Sequence, residues 1–221
     1  MGDNILGDER NYKRINVITF KKTKELYGGL SNMAPGFPIK INNIMIRNSE
    51  ALYQALRYTE HPEIQKEIIM QNSPMTSKMK SKKHRALCRE DWNDIRLKVM
   101  RWCLRVKLIQ NWDSFGGLLI DTGDKQIVEE SNKDRFWGAI PFDDGSLNGI
   151  NALGRLLMEL REEMPIYLTN KELSPLKINN FKLMGVPIEG ITFNISEMPD
   201  MDIRTKNTEK FINISIFDKL D

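Results

Sequence analysis

Cysteine is scarce in this sequence, and long apolar runs are absent. Cys88 and Cys103 are the two cysteines, and neither belongs to a CxxC pair or is matched by a pair of histidines. A disulfide framework and a zinc site are therefore unsupported, and structural thiols are the preferred interpretation. No apolar run approaches the ~20 residues of a membrane-spanning helix. Because the segment MGDNILGDERNYKR is too charged for a signal peptide, a cytoplasmic protein without a membrane partner is expected.

The motifs of several large enzyme classes are also missing. The sequence contains no P-loop, no GxGxxG, no HExxH and no GxSxG. Mechanisms that depend on a metal, a dinucleotide fold or a catalytic triad have no support, so neither a cofactor nor a metal ion is expected.

Size and charge distribution set the remaining limits. With 221 residues, 40% of them hydrophobic, the chain can bury one full core. The net charge of +3 hides a local excess, because residues 78–107 hold eleven Lys and Arg against three Asp and Glu. Such a segment can attract phosphate-bearing partners, or it can be a helix that solvates its charges. Charge alone does not decide between these alternatives.

Strands are predicted first along the chain and helices after them. The segment PIKINNIMIR (38–47) predicts a hairpin that turns at Asn42 and Asn43, which tolerate left-handed backbone angles. The other predicted elements are a strand over 15–20, a helix from Asn48 or Ser49 to about Tyr58, a helix over 62–70 that begins at Pro62, a long helix capped by Asp91 over 92–112, a strand over 125–131, and a closing helix with Leu153, Leu156, Leu157 and Leu160 on its core face.

The pattern changes after Met164, where short β-like runs are broken by Pro and Gly. We expect three parts: an N-terminal tail (1–14), a main domain (15–163) and a small β-rich C-terminal extension (164–221). The extension is expected to pack on the core, because FKLMG and ITFNI have apolar residues to bury. The predicted fold class is α+β, mostly helical.

One predicted helix carries a polar stripe. In NSEALYQALRY, helical spacing places Glu50, Tyr53, Gln54 and Arg57 along one side. This side could line a ligand cleft, or it could be an exposed face.

A loop rich in Gly, Trp and Asp precedes the closing helix. In KDRFWGAIPFDDGSLNGINALGRLLMELRE, Phe136 and Trp137 could stack on a base, or they could fold onto the core. Gly138 permits close backbone approach. Asn148 or Asn151 could cap the helix, whose free N–H groups would form an anion site.

Seven blocks of the sequence resemble the NADAR family, also called YbiA-like, in order and spacing. They are YGGLSNMAPGFPI, SEALYQALRY, SPMTSKM, REDWNDIRLKVMRWCLRVKL, LLIDTGDKQIVEES, KDRFWGAIPFDDG and GINALGRLLMELRE. The resemblance covers about residues 15–163. It implies an α+β fold, mostly helical, with a cleft for an ADP-ribosyl or phosphoribosyl group.

The resemblance also implies an N-glycosidase, a hydrolase of N-glycosyl bonds. Its favoured substrate is ADP-ribose attached to guanine of nucleic acid, a DarT-like modification, which implies a cognate ADP-ribosyltransferase toxin as a partner. Two alternatives are an N-glycosidase of phosphoribosylamino-pyrimidine intermediates of riboflavin synthesis, and a non-catalytic reader of ADP-ribose or a modified base.

The expected site residues follow from the resemblance together with the polar stripe and the loop. The expected catalytic residues are Glu50, Asp134 and Lys78, although the residues that flank Lys78 depart from the family wording. The expected substrate-binding residues are Ser31, Asn32, Tyr53, Gln54, Trp92, Phe136, Trp137, Gly138 and Asn151.

Overall fold

The structure, a computed structural model, describes residues 8–195. The expectations for residues 1–7 and 196–221, including the β-like run FINISIF, lie outside the described residues. The elements in chain order are β1 (Arg10–Lys13), β2 (Val17–Phe20), β3 (Ile39–Ile41), β4 (Ile44–Ile46), α1 (Ser49–Ala55), α2 (Pro62–Ile69), α3 (Pro74–Lys83), α4 (Trp92–Gln110), a π-helical turn (Trp112–Gly116), α5 (Gly117–Ile120), β5 (Gln126–Glu129), β6 (Ile140–Pro141), β7 (Ser146–Gly149), α6 (Ala152–Thr169), β8 (Glu172–Leu173), β9 (Lys182–Leu183), β10 (Val186–Pro187) and β11 (Ile191–Thr192).

The strands form several small sheets around a helical core. β1, β7 and β6 make a three-stranded antiparallel sheet, and β2 pairs with β5 in parallel. The predicted hairpin is confirmed: β3 and β4 are joined at Asn42 and Asn43, whose φ angles are 46° and 64°. The predicted α+β fold class is likewise confirmed. Within residues 8–195, no helix is long and apolar enough to cross a membrane.

The last residues of the expected N-terminal tail form a strand. Residues 10–13 form β1, which pairs Tyr12 with Leu147, and both side chains are buried. The sequence signal was weak because RNYK offers one apolar residue, too few for a period of two to be recognised.

The long helix α4 lies at the centre of the core. Its residues Val99, Cys103 and Leu108 are fully buried. It ends at Gln110 and is followed by the π-helical turn, slightly earlier than predicted. Asp91 does not cap it, because the Asp91 carboxylate accepts two hydrogen bonds from the Arg89 guanidinium instead.

Helix α6 extends beyond the expected change of pattern at residue 164. It continues through Pro165 to Thr169. Proline inside a helix removes one hydrogen bond. However, Leu160, Met164 and Tyr167 continue one buried stripe, and the burial of that stripe outweighs the lost bond.

Residues 172–195 contribute to the same hydrophobic core as the helices. They form two short ladders, β8 with β11 and β9 with β10. The residues of this segment in the main core are Leu173, Phe181, Leu183, Ile188 and Ile195.

Candidate functional site

Glu50 lies at the start of α1 with 6% of its surface exposed. The Asn48 side chain caps the helix by accepting a hydrogen bond from the backbone N–H of Ala51. Both Glu50 carboxylate oxygens accept amide hydrogen bonds, Oε2 from Asn32 Nδ2 at 3.0 Å and Oε1 from Gln54 Nε2 at 2.9 Å. Among the described residues no cation pairs with this carboxylate, so its charge is available to a positively charged reaction centre.

The glycine loop (residues 28–32) docks on the start of α1. The carbonyl of Asn32 accepts a hydrogen bond from the Glu50 backbone N–H at 3.1 Å, and its side chain binds the Glu50 carboxylate. Asn32 Oδ1 is buried without a hydrogen-bond partner among residues 8–195. The Ser31 hydroxyl accepts from the Met33 N–H, so this predicted substrate-binding residue shapes the loop.

A buried lysine binds the backbone of the glycine loop. Lys107 of α4 is fully buried, and its Nζ donates to the carbonyls of Gly29 at 2.7 Å and Ser31 at 3.1 Å. The rings of Phe37 and Phe115 lie 4.4 and 4.1 Å from Nζ. Desolvation lowers the pKa of Lys107 well below its ordinary value.

The polar stripe on α1 is buried, so the alternative of an exposed face is wrong. Tyr53 and Gln54 each expose 4% of their surface. Gln54 joins Glu50 to α3, because its Oε1 accepts from Ser81 Oγ at 2.6 Å and from Arg57 Nη1 at 3.3 Å.

A small cleft opens beside Gln54, and we call it the basic cleft. It is lined by Gln54, Arg57, Tyr58, Lys78, Ser81, Lys82 and Arg85. Four of these side chains are cations, and within residues 8–195 none of the four is ion-paired to a carboxylate. Arg57 Nε is in addition buried without a partner among those residues. The cleft is thus equipped to bind an anion.

Seven of the eleven cations over residues 78–107 fall into two groups. Lys80, Arg89, Arg101 and Arg105 pair with carboxylates. Lys78, Lys82 and Arg85 line the basic cleft instead. Part of the charge excess is therefore neutralised by ion pairs, whereas the cations of the basic cleft have no carboxylate partner within residues 8–195.

Four aromatic side chains form a wall near Glu50: Tyr53, Trp92, Phe136 and Trp137. Tyr53 packs on Trp92 with ring centroids 5.0 Å apart and on Trp137 at 5.7 Å. Trp92 and Tyr53 expose only 5% and 4% of their surface, so the accessible faces belong to Phe136 and Trp137. The guanidinium of Arg96 lies 3.7 Å from the Phe136 ring centroid.

Asp134 organises the loop that carries these two aromatic residues. Its Oδ1 accepts hydrogen bonds from the backbone N–H groups of Phe136 at 3.0 Å and Trp137 at 2.9 Å. Its own N–H donates to Ser131 Oγ. Asp134 remains partly exposed, and its charge acts on Glu129.

Asn151, which the sequence predicts to bind substrate, and the start of α6 make their hydrogen bonds within the protein. Asn151 is fully buried at φ 54°, and its side chain binds the backbone of Ile127 and Glu129. The first N–H groups of α6 donate to the carbonyls of Phe136 and Trp137, so the anion site expected there is occupied by the loop. The sequence could not reveal that the loop binds the helix start, because the order of elements does not show whether a loop folds back onto the helix that follows it.

Gly138 has a packing role. A Cβ atom built on it would lie 2.5 Å from the Glu129 carbonyl oxygen. Only glycine allows this approach to β5. Its backbone lies at the edge of the site, and it offers no side chain to a ligand.

Glu129 is a residue that the sequence prediction missed. It is partly buried at the end of β5. Desolvation, followed by the charges of Asp134 and Glu50, raises the pKa of Glu129 to about 7, against a lowering by Lys78. The available signal was strand alternation, which puts Glu129 on the same face as the core residue Ile127.

The other titratable groups indicate thiol and phenol groups that stay protonated. Burial raises the pKa of Tyr53 and the pKa of Cys103 well above their usual values. Within residues 8–195 no group of three or more potential ligand side chains could hold a metal ion.

A buried carboxylate, an accessible aromatic face and a cationic cleft together define a candidate active site. The NADAR domain family matches residues 19–165. The N-glycosidase YbiA of Escherichia coli K12 is 34% identical over 150 residues, which is 68% of this chain and 89% of that protein. A riboflavin biosynthesis protein of Vibrio vulnificus is 35% identical over 147 residues, 66% of this chain and 38% of that protein.

The fold comparison agrees with the sequence comparisons. The NMR structure of E. coli YbiA superposes with a TM-score of 0.57 at 30% identity, over 70% of this chain and 91% of that one. The chain belongs to the NADAR domain family, and the sequence prediction of the family is confirmed. The names of the relatives agree with the predicted enzyme class, a hydrolase of N-glycosyl bonds.

Proposed function

We propose that this chain is an N-glycosidase that hydrolyses the bond between ADP-ribose and guanine in nucleic acid and so reverses a DarT-like modification. The observation that carries the proposal is the basic cleft, which is joined to Glu50 through Gln54. A ribose whose anomeric carbon lies at Glu50 would then direct its phosphates toward four cations.

The chemistry of the bond matches Glu50. Cleavage of an N-glycosidic bond passes through an oxocarbenium-like state, which a carboxylate stabilises. Two amide donors hold the Glu50 carboxylate, and no described cation neutralises it. It can stabilise the positive anomeric carbon and accept a proton from the attacking water.

The number of cations favours ADP-ribose over a sugar monophosphate. Arg57, Lys78, Lys82 and Arg85 can compensate the two charges of a diphosphate with capacity left for a nucleic-acid backbone. Phe136 and Trp137 can stack on the guanine that leaves. A toxin that attaches ADP-ribose to guanine would be the cognate partner.

A second candidate has support from relatives named for riboflavin biosynthesis. The Vibrio protein named for riboflavin biosynthesis matches this chain at 35% identity. By analogy, this chain would hydrolyse a phosphoribosylamino-pyrimidine. This candidate requires a single phosphate in the basic cleft, and it predicts an activity that is indifferent to oligonucleotide length.

The test gives the protein both substrates side by side. From a guanine-ADP-ribosylated oligonucleotide we expect release of free ADP-ribose and unmodified guanine, with turnover that decreases steeply as salt is raised. Persistence of the adduct, together with turnover of the pyrimidine, would replace the first candidate by the second.

Glu50→Gln separates an enzyme from a binding module. The variant should lose turnover while its affinity for the modified oligonucleotide is retained. Glu63→Gln is the matched control, because the side chain of Glu63 is 71% exposed on α2 and its loss should leave turnover unchanged. Binding without turnover in the wild-type protein would identify a reader and contradict the proposal.

A further inference from the structure

We propose that Glu129 is the general acid that protonates the departing base, a role that rests on the function proposed above. It adds a second carboxyl group to the reaction and assigns the proton donor.

The strand direction brings Glu129 to the site. Along β5, Ile127 belongs to the main core and Val128 to a second cluster on the other side. Because side chains alternate along a strand, Glu129 shares the side of Ile127, whereas Glu130 points with Val128. Glu129 therefore faces the elements that carry Glu50 and Asp134, and both of their charges act on it.

Three residues contact the backbone of Glu129. Its N–H donates to Asn151 Oδ1 at 3.0 Å, at the start of α6. Its carbonyl oxygen accepts from the Ala139 N–H at 2.8 Å and lies against Gly138. The backbone that carries the carboxyl group is thus held in place, as a catalytic acid requires.

The surroundings of Glu129 differ from those of its neighbour. The Glu130 carboxylate pairs with Arg14 and Lys21. Within residues 8–195, the Glu129 carboxyl has no hydrogen bond and no ion pair of its own. The charged groups that act on it are Asp134 on the loop, Glu50 on α1 and Lys78 on α3, and with desolvation they give a pKa of about 7.

Glu50 and Glu129 are suited to opposite tasks. Both oxygens of Glu50 accept hydrogen bonds from amide donors, so this group acts as an acceptor. With a pKa of about 7, Glu129 is partly protonated at neutral pH and can donate a proton. Two carboxyl groups whose environments separate them in this way are the usual means of assigning an acid and a base.

The proton and electron balance of the step is complete. The N-glycosidic bond breaks with its electron pair on the base, which takes the proton of Glu129. Water forms a bond to the anomeric carbon and gives one proton to Glu50. That proton returns through solvent to Glu129, so the net reaction consumes one water and yields the free sugar and the protonated base.

Glu129→Gln tests the assignment by removing the proton while keeping the shape. We expect turnover to fall by about 100-fold or more, with KM within about threefold of wild type. Glu130→Gln, at the position directly after β5, is the matched control, and it should keep turnover within a few-fold. The wild-type rate should fall as pH rises through about 7, because Glu129 loses its proton. The rate of Glu129→Gln should not show this fall.

A second substrate distinguishes an acid from a structural residue. A pyridinium base attached to the same phosphorylated ribose departs as a neutral molecule and needs no proton. Glu129→Gln should cleave it at close to the wild-type rate. The proposal would be overturned if Glu129→Gln lost turnover equally on both substrates, or if its rate still fell as pH rises through about 7. If Glu129→Gln fails to fold, Glu129→Asp is tested in the same assays. It should be slower than wild type, and its rate should still fall as pH rises.

Failure of this inference is distinct from failure of the proposed function. If the wild-type protein releases no base from any of these substrates, the proposed function is wrong. If the wild-type protein is active and Glu129→Gln matches it at every pH, only the role of Glu129 is wrong.

Discussion

Asn32 Nδ2 donates a 3.0 Å hydrogen bond to Glu50 Oε2 across 18 positions of sequence. Asn32 lies in the glycine loop and Glu50 on α1, so the bond joins two of the blocks by which the sequence resembles the NADAR family. Lys107 holds the same loop from the opposite side through two carbonyls. The position of the carboxylate therefore depends on a chain of contacts that begins in α4.

Asn32→Ala should lower turnover by about 10-fold to 100-fold, because the Glu50 carboxylate loses one of its two donors and gains freedom to rotate. Affinity for substrate should change less than turnover. Asn72→Ala, at an exposed position before α3, is the control and should behave as wild type. Steady-state kinetics of the two variants measure the difference, and equal turnover in both would contradict a positioning role for Asn32.

Lys78 lies in the basic cleft, and its charge acts on Glu129. If its role is electrostatic, Lys78→Arg should keep turnover within about 10-fold of wild type, whereas Lys78→Ala should lose substantially more. A Schiff base with the opened sugar would need a primary amine, which arginine lacks. We expect no borohydride-trapped adduct at Lys78 by mass spectrometry. A trapped adduct, with Lys78→Arg as inactive as Lys78→Ala, would establish covalent catalysis.

Much of the fold could be predicted from local patterns. The hairpin turn at Asn42 and Asn43 and the buried leucines of α6 follow from backbone preference and periodicity, which short segments carry by themselves. The continuation of α6 through Pro165 could not be predicted, because it depends on what Met164 and Tyr167 pack against.

The candidate site shows the same division. Glu50 could be predicted from the helix that carries it and from the family segment SEALYQALRY, because both are continuous stretches of sequence. Asn151 was assigned to a ligand although the structure shows it binding β5, because a polar residue at a helix start has the same sequence pattern in either role. The shifted pKa values of Glu129 and Lys107 result from burial by segments that are distant in sequence. The pattern of a single strand or helix does not reveal such burial.

Lys107 should make stability depend on pH at alkaline values. Burial lowers its pKa in the folded protein, so below the ordinary value of 10.5 the unfolded chain binds a proton that the folded protein excludes. The free energy of unfolding should therefore rise with pH up to that value, by up to ~1.4 kcal/mol for each pH unit within the window. Urea unfolding at about pH 8 and about pH 10 measures the rise. Lys107→Met should lack it, and an identical pH dependence in both proteins would contradict the assignment.

Leu183→Ala tests whether the C-terminal extension is one cooperative unit with the glycosidase core. Leu183 lies on β9, is fully buried and belongs to the main core. Removing three buried carbons from a packed site costs about 2–5 kcal/mol, because the lost burial adds to the cavity left behind. Val186→Ala on β10 is the control, since Val186 is 50% exposed and should cost less than ~1 kcal/mol. If the extension is part of the core, thermal unfolding of Leu183→Ala should show a single transition at lower temperature. Two separate transitions, with the main one unchanged, would show that the core unfolds independently of residues 172–195.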